Sequence, residues 1–403
     1  MRHSALLFLF ALACSERQSE SAPESVRVRD PEVAAGLARV VASGRLSVSD
    51  GFGCSIVPQT GSILCWGAVP GRAPSRVGPS YSSQEPLVLD APAGLRFRAV
   101  ATGEHHGCAV STSDDVWCWG RAWEGQLGSR VLVDSSPAPK QIIGLGAVQR
   151  LVAGRSHSCA LDTEGRVWCW GRNHYRQLAT GDTLPRSAPT IALVDSAFVD
   201  LVASPSGACG VTAGGAYHCW GATPALRSET PTPLPALEPL RQLAISDSHL
   251  CALTVSQTVY CQGENRYGVI GAGGAVRLDA RQEVPFILSF PEPIASVSVG
   301  PISSCAVSTA GQAYCWGFTG SSGLLGIPAD TLCRVRAPGS GCVRGPRPVR
   351  TDLRFQEIVI GLGESWRCGL TTDDRLACWG QGSIDVEDPP RSEPTIIPWP
   401  ATP

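Results

Sequence analysis

The sequence predicts an all-β protein built from seven blade-like units, and three observations carry that expectation. First, a cysteine is followed about ten residues later by a second cysteine seven times in 403 residues, at hairpins 54–67, 108–120, 159–171, 209–221, 251–263, 305–317 and 368–380. Second, six of the second cysteines run into Trp-Gly (Trp66, Trp119, Trp170, Trp220, Trp316, Trp379), while the fifth unit reads Gln262-Gly263. The pitch between units is roughly 40–60 residues, the spacing of blades or arrays rather than of unrelated domains. Third, 44 glycines and 32 prolines with little sustained helical periodicity fit many short strands joined by turns.

The third unit, His157 to Gly171, shows the local logic. Two apolar runs flank the polar turn Thr163-Glu164-Gly165, which reads as a hairpin with Gly165 in the left-handed slot of a three-residue loop. The same count puts Asp114, Gly215, Gln257, Gly311 and Asp374 in that slot elsewhere. Counting outward from the turn sets Cys159 opposite Cys169 on a non-hydrogen-bonded pair, where Cα atoms lie about 4.5 Å apart, within disulfide range. The first unit is one residue longer and needs an even loop, Pro58 to Gly61, which still sets Cys54 opposite Cys65. Cys159, Leu161, Val167 and Cys169 share one face of the hairpin, and Ala160, Trp168 and Trp170 the other. Both faces are apolar, so both need a neighbouring sheet; blades stacked around an axis provide one on each side.

The register pairs Cys54–Cys65, Cys108–Cys118, Cys159–Cys169, Cys209–Cys219, Cys251–Cys261, Cys305–Cys315 and Cys368–Cys378. Cys333 and Cys342 form an eighth pair within an insertion, so that of 17 cysteines only Cys14 is left over. An even, regularly spaced set implies disulfides and an oxidising compartment. The rival reading is metal, but zinc sites generally bring ligands two to four residues apart and the chain has no Cys-x-x-Cys.

Cys14 ends a basic and apolar start, Arg2-His3 followed by Ala5 to Ala13. Residues 1–14 read as a secretion signal, too short for the ~20 apolar residues of a membrane span. Ala13-Cys14 resembles a bacterial lipoprotein cleavage box, in which the cysteine is lipidated; the alternative is an ordinary signal cut nearby. Residues 15–31 read as a polar tether, residues 32–42 as either strand or helix, and 32–403 as the repeat domain. Each cysteine hairpin follows an extended run such as Val148–Val152. Proline-led strands such as Pro189–Ala192 lie further upstream, proline at such a position suiting an edge strand. That gives four strands per unit. On this phasing the last proline-led strand, Pro394–Pro398, has no unit after it, and the first hairpin lacks one before it. The C-terminal strand is therefore expected to complete the first blade.

Assembled, the unit resembles the regulator of chromosome condensation repeat. The residues that carry the resemblance are Val152-Ala153-Gly154 leading to His157, the hairpin, Trp119-Gly120, and then Gly125-Gln126-Leu127-Gly128. Arg176-Gln177-Leu178-Ala179, Gly268-Val269-Ile270-Gly271 and Gly323-Leu324-Leu325-Gly326 are looser copies of the last element, which the first, fourth and seventh units lack. The resemblance covers nearly all of residues 44–403. It implies a seven-bladed β-propeller of four-stranded blades, with one intra-hairpin disulfide per blade marking an exported bacterial branch.

Function is less legible. A net charge of −2 without a charge run gives no footing for nucleic acid. No Gly-x-Ser-x-Gly, His-Glu-x-x-His or phosphate-binding loop occurs, so neither a cofactor nor a metal is expected. His106, His157 and His249 precede hairpin cysteines by two residues, but Phe52, Gly207, Ser303 and Trp366 stand in the equivalent positions. Hydrogen bonding within their own blades is therefore expected of them, not metal ligation. The loops after each Trp-Gly strand differ in length and sequence and emerge on one side. The sixth carries Arg334, Arg336, Arg344 and Arg347 around the Cys333–Cys342 staple, a rigid basic protrusion suited to an acidic partner. The reading is a non-enzymatic, monomeric scaffold, exported and lipid-anchored in the bacterial envelope or secreted. It would bind a protein or envelope macromolecule through the loop face and touch the membrane only through its lipid. A cell-envelope hydrolase using loop carboxylates is the alternative. The nucleotide-exchange activity of nuclear family members fits an exported, slightly acidic chain less well.

Overall fold

The computed structural model describes residues 44–70, 84–130, 135–224, 227–278, 280–320, 324–329, 331–332, 341–363, 366–380 and 391–399. The expectations for the signal, Cys14, the tether, residues 32–42, Cys333, Arg334 and Arg336 lie outside these residues. Seven antiparallel sheets form a seven-bladed β-propeller. The first strands are Leu46–Val48, Phe97–Thr102, Val148–Ala153, Phe198–Ser204, Leu240–Ile245, Ile294–Val299 and Phe355–Ile360. They line a narrow axial cavity of about 200 Å³. The second and third strands are the cysteine hairpin, and the fourth lies outermost. In blade six a two-residue strand, Thr331–Leu332, pairs with the outer face of the fourth, Gly341–Pro348.

The hairpin register is as expected from the turn. Each of the seven cysteine pairs is directly opposed and disulfide-bonded, with Cα–Cα distances of 4.0–4.2 Å. Cys342 is also disulfide-bonded. Asp114, Gly165, Gly215, Gln257, Gly311 and Asp374 all adopt positive φ, between 59° and 81°. The Gln257 slot shows that the loop imposes this conformation even on a residue that does not favour it.

Both faces of each hairpin are covered. In blade three, Ala160 and Trp170 join Cys108, Val110, Val116 and Cys118 of blade two. Its other face, Cys159, Leu161, Val167 and Cys169, joins Phe198, Leu201, Ala208 and Trp220 of blade four. The core is thus a circle of apolar layers between blades rather than one central cluster.

The Gly-x-Leu-Gly turns and the tryptophans are two halves of one junction. The indole N–H of Trp170 donates to the Gln126 carbonyl (2.9 Å), that of Trp220 to Gln177 (3.0 Å) and that of Trp316 to Val269 (2.7 Å). Each acceptor sits in the turn of the preceding blade. A Cβ built on Gly128 would lie 3.2 Å from the Trp170 Nε1, and one on Gly271 3.0 Å from that of Trp316, so the turn closes directly on the indole. After units one and seven, which lack the element, Trp119 and Trp66 have no acceptor among the described residues, and after unit six Trp379 has none there either.

Ring closure corrects the expected strand exchange. The C-terminal strand, Arg391–Ile397, pairs with Leu376–Gly380 of its own blade, and blade one is completed by Gln84–Val88. Each proline-led strand belongs to the hairpin before it, not after it. Pairing with the adjacent strand closes a short loop, whereas the exchange would close one spanning the chain. Blades one and seven meet instead by packing: Leu46, Val48 and Trp66 join Trp366, Cys368, Leu370 and Ile397. Arg45 adds a 2.8 Å ion pair to Asp374 and a bond to the Gln356 amide oxygen.

Leu46→Ala should therefore destabilise the whole ring by about 2–4 kcal/mol, the cost of truncating a buried leucine, in a single cooperative transition. Denaturant titration checks this; a separate early transition confined to blade one would contradict closure by packing.

Candidate functional site

The buried polar groups come first, because they decide whether the interior holds chemistry. His106, His157 and His249 are fully buried. His106 Nε2 shares a 2.8 Å hydrogen bond with the Ser158 hydroxyl of blade three, and His249 Nε2 a 2.7 Å bond with Ser304 of blade six. These bonds cross between blades, a correction to the expectation that each ring serves its own; His249 alone also bonds locally, Nδ1 meeting Ser246 and Ser248. At His157 the corresponding residue of the next blade is Ala208, which offers no hydroxyl; the ring lies beside the Gly207 backbone, outside good hydrogen-bond geometry. At the sixth junction the donor and acceptor are reversed: Arg367 of blade seven donates to the Ser303 hydroxyl at 2.7 Å.

Burial pushes His106 and His249 down to about 3 and His157 to about 4, the positive charges of His157 and His105 adding to the effect at His106. Burial alone likewise lowers Arg367, to about 10. The three rings are therefore neutral at physiological pH, and two of them, His106 and His249, pin adjacent blades together. Along the axis, Arg150 and Asp200 are paired at 3.0 Å. Burial raises the Asp200 carboxyl, and the Arg150 charge opposes that rise. Among the described residues no three His, Cys, Asp or Glu side chains are grouped to hold a metal ion. No helix of the described residues is long and apolar enough to cross a membrane.

The carboxylates singled out in the sequence hold hairpin turns. Asp114 pairs with Arg98 at 2.8 Å, Asp373 with Arg375 at 2.6 Å, and Asp374 with Arg45. All lie at the hairpin ends of their blades, opposite the loops that follow Trp-Gly.

The loop face carries a different chemistry. After Trp-Gly, blade two runs Arg121-Ala122-Trp123 and blade three Arg172-Asn173-His174-Tyr175. The Arg121 guanidinium lies 4.7 Å over the Trp123 ring, which is 65% exposed, and that of Arg172 lies 5.8 Å from the Tyr175 ring, 48% exposed. Neither arginine has a carboxylate partner among the described residues, whereas Arg155 pairs with Glu104 and Arg176 with Glu229. Buried Asn173 anchors the third loop: its amide donates to the Asp182 carbonyl and its oxygen accepts from the Leu178 N–H. These exposed arginine–aromatic pairs escaped sequence reasoning. The signal for them was the recurrence of an arginine directly after Trp-Gly with an aromatic two or three residues on.

The sixth-loop arginines are divided. Arg344 and Arg347 fall within the fourth strand of blade six, not in the loop tip. Arg344 is half-buried against the blade-five turn, its carbonyl accepting the Gly273 N–H at 2.9 Å. Arg347 is exposed and stands opposite Cys315.

This is a disulfide-stapled, seven-bladed propeller whose loops after Trp-Gly differ from blade to blade. Models of the regulator of chromosome condensation (RCC1) repeat match residues 97–126 and 148–177, and 113–161 and 164–253. These matches assign regulator of chromosome condensation repeats to blades two to four, and the seven-bladed ring is the fold such repeats build. The chain is similar to the ultraviolet-B receptor UVR8 of Arabidopsis thaliana, at 30% identity over 62% of this chain and 60% of the receptor. It is also similar to the human probable E3 ubiquitin-protein ligase HERC6, at 28% identity over 73% of this chain and 24% of the ligase. The matches thus span less than two thirds of either relative. Among solved structures, yeast RCC1 (Prp20) bound to Kap60 shares the fold at a TM-score of 0.71, with 18% identity over 96% of this chain and 92% of that one. Prp20p of Saccharomyces cerevisiae, described with its binding to Gsp1p and histones, gives the same TM-score at 19% identity over 90% and 91%.

Lowered histidine values make stability depend on pH with a definite sign. Unfolded rings take up protons below 6.5 while the folded ones do not until about 3–4, so their contribution is full above 6.5 and lost as pH falls. Each ring should cost about 1.4 kcal/mol per pH unit across that window. His157→Phe, the residue type found at Phe52, should make the acid side of a stability-versus-pH curve shallower by about one proton. An unchanged slope would refute the assignment.

Proposed function

We propose that this protein is an exported binding scaffold that engages an acidic protein or envelope macromolecule through its loop face. The observation that carries the reading is the pair of solvent-exposed arginine–aromatic stacks, Arg121 with Trp123 and Arg172 with Tyr175, on adjacent blades. Arginine and large aromatics are the residue types enriched at binding hot spots, and their placement on variable loops over a rigid frame is how scaffolds present contacts. Propellers of this fold do engage proteins: yeast RCC1 is seen bound to Kap60, and Prp20p is described with its binding to Gsp1p and histones. The seven disulfides fit an oxidising compartment. Arg334 and Arg336, with the neighbouring Arg344 and Arg347, would extend the basic surface to the sixth loop. Cys14 would carry the lipid that holds the ring at the envelope.

Affinity capture from cell envelopes with the exported protein tests the reading. With a captured partner, Arg121→Ala and Arg172→Ala together should weaken binding at least tenfold and leave the melting temperature unchanged. Unchanged affinity would remove this face from the interface. Anchoring is tested separately: a fatty-acid analogue should label the wild type and not Cys14→Ser, and equal labelling would exclude lipidation there.

A further inference from the structure

The junction between blades four and five departs from the others in two ways at once. Unit four has the shortest connection after Trp-Gly, Gly221 to Arg227, and no Gly-x-Leu-Gly turn. Unit five has Gln262 in place of the tryptophan that would close on that turn. The loss of the indole is compensated locally. The residue opposite the tryptophan is small in five blades (Gly53, Gly107, Ser158, Ala208, Ser304) and Arg367 in the seventh, while in blade five Leu250 lies fully buried opposite Gln262.

Among the described residues nothing takes the place of the turn. In blades two, three, five and six the turn supplies Leu127, Leu178, Ile270 and Leu325, all buried. It packs over the residue that ends the fourth strand: a Cβ on Gly128 would meet Ile142 at 3.0 Å, on Gly271 Leu288 at 2.8 Å, and on Gly326 Val349 at 2.8 Å. That terminal residue is buried in six blades, as Leu89, Ile142, Ala192, Leu288, Val349 and Ile397. Its counterpart in blade four, Leu234, remains partly open. A cavity of about 250 Å³ lies over it, with Tyr217, Leu234, Leu237 and Pro285 on its apolar side and Gln262, Arg281 and Glu283 on its polar side. In blade three, the Leu193 N–H donates to the Ala179 carbonyl of the turn. The corresponding residue in blade four is Pro235, which has no N–H to satisfy.

At three other junctions an indole N–H binds the carbonyl of the residue just before the aliphatic one (Gln126, Gln177, Val269). Gln262 occupies the sequence position of the indole, lines the cavity, and makes no side-chain bond within the described residues. The site therefore offers an apolar seat for one aliphatic side chain and a donor for the carbonyl preceding it.

We propose that this cleft docks a peptide segment of a partner in which a leucine or isoleucine is flanked by small residues, supplied in trans as the turn that blade four lacks. The site is on the flank of the ring and does not rest on the loop-face reading. The chain's own turn provides the probe: an end-blocked peptide of residues 122–129, Ala-Trp-Glu-Gly-Gln-Leu-Gly-Ser, titrated into the full protein by calorimetry or NMR. Saturable binding is expected below 1 mM, weakened at least tenfold when the peptide leucine is replaced by serine and at least threefold by Gln262→Ala in the protein. Replacing residues 222–226 with residues 172–185 should fill the cleft from within, keep or raise the melting temperature, and abolish binding. No saturation at 1 mM, or binding that survives the graft in a folded protein, would overturn the proposal. A captured loop-face partner retained by the grafted protein would leave the scaffold reading intact, so the two fail separately.

Discussion

A β-hairpin that is apolar on both faces cannot be stable alone, and the rest of this molecule follows from that constraint. The disulfide side of each hairpin needs the next blade, and the tryptophan side needs the one before. A row of such units leaves two uncovered faces at its ends; closing the row into a ring removes both. Leu46, Val48 and Trp66 against Trp366, Leu370 and Ile397 are where the removal happens. Because no strand is exchanged there, closure rests on side-chain packing and on Arg45, which reaches across to Asp374 and Gln356.

The polar residues at the junctions obey a second rule: each buried group is set against a residue of the neighbouring blade. His106 meets Ser158, His249 meets Ser304, and Arg367 meets Ser303. Exceptions are informative. His157 faces Ala208 without a hydroxyl partner, and Arg367 is buried with only one of its nitrogens bonded to a side chain of the ring. A buried unpaired donor costs about 1–3 kcal/mol.

The repeat is least regular on the loop face and at the junction between blades four and five. The loop face differs from blade to blade, and its arginines stack on exposed rings where the interior cations are buried or paired. The junction between blades four and five is irregular in a coordinated manner, with the turn, the indole and the proline-free strand end lost together. A junction that had merely drifted would be expected to leave a stranded half, as at Trp119.

The local geometry was determined by the sequence itself. Strand periodicity of two and the left-handed turn slot set every cysteine opposite its partner, and the alternation of side chains dictated that both faces be covered; these depend on residues within about fifteen positions of each other. The tertiary structure decided what lies between distant segments. Whether a proline-led strand joins the hairpin before it or after it leaves the local pattern unchanged, so the sequence phasing was off by one strand and the C-terminal strand was assigned to the wrong blade. The histidine partners and the meeting of each Gly-x-Leu-Gly turn with the next indole were hidden for the same reason: each contact joins residues about 40–55 positions apart, on blades whose relative placement is fixed only when the ring closes.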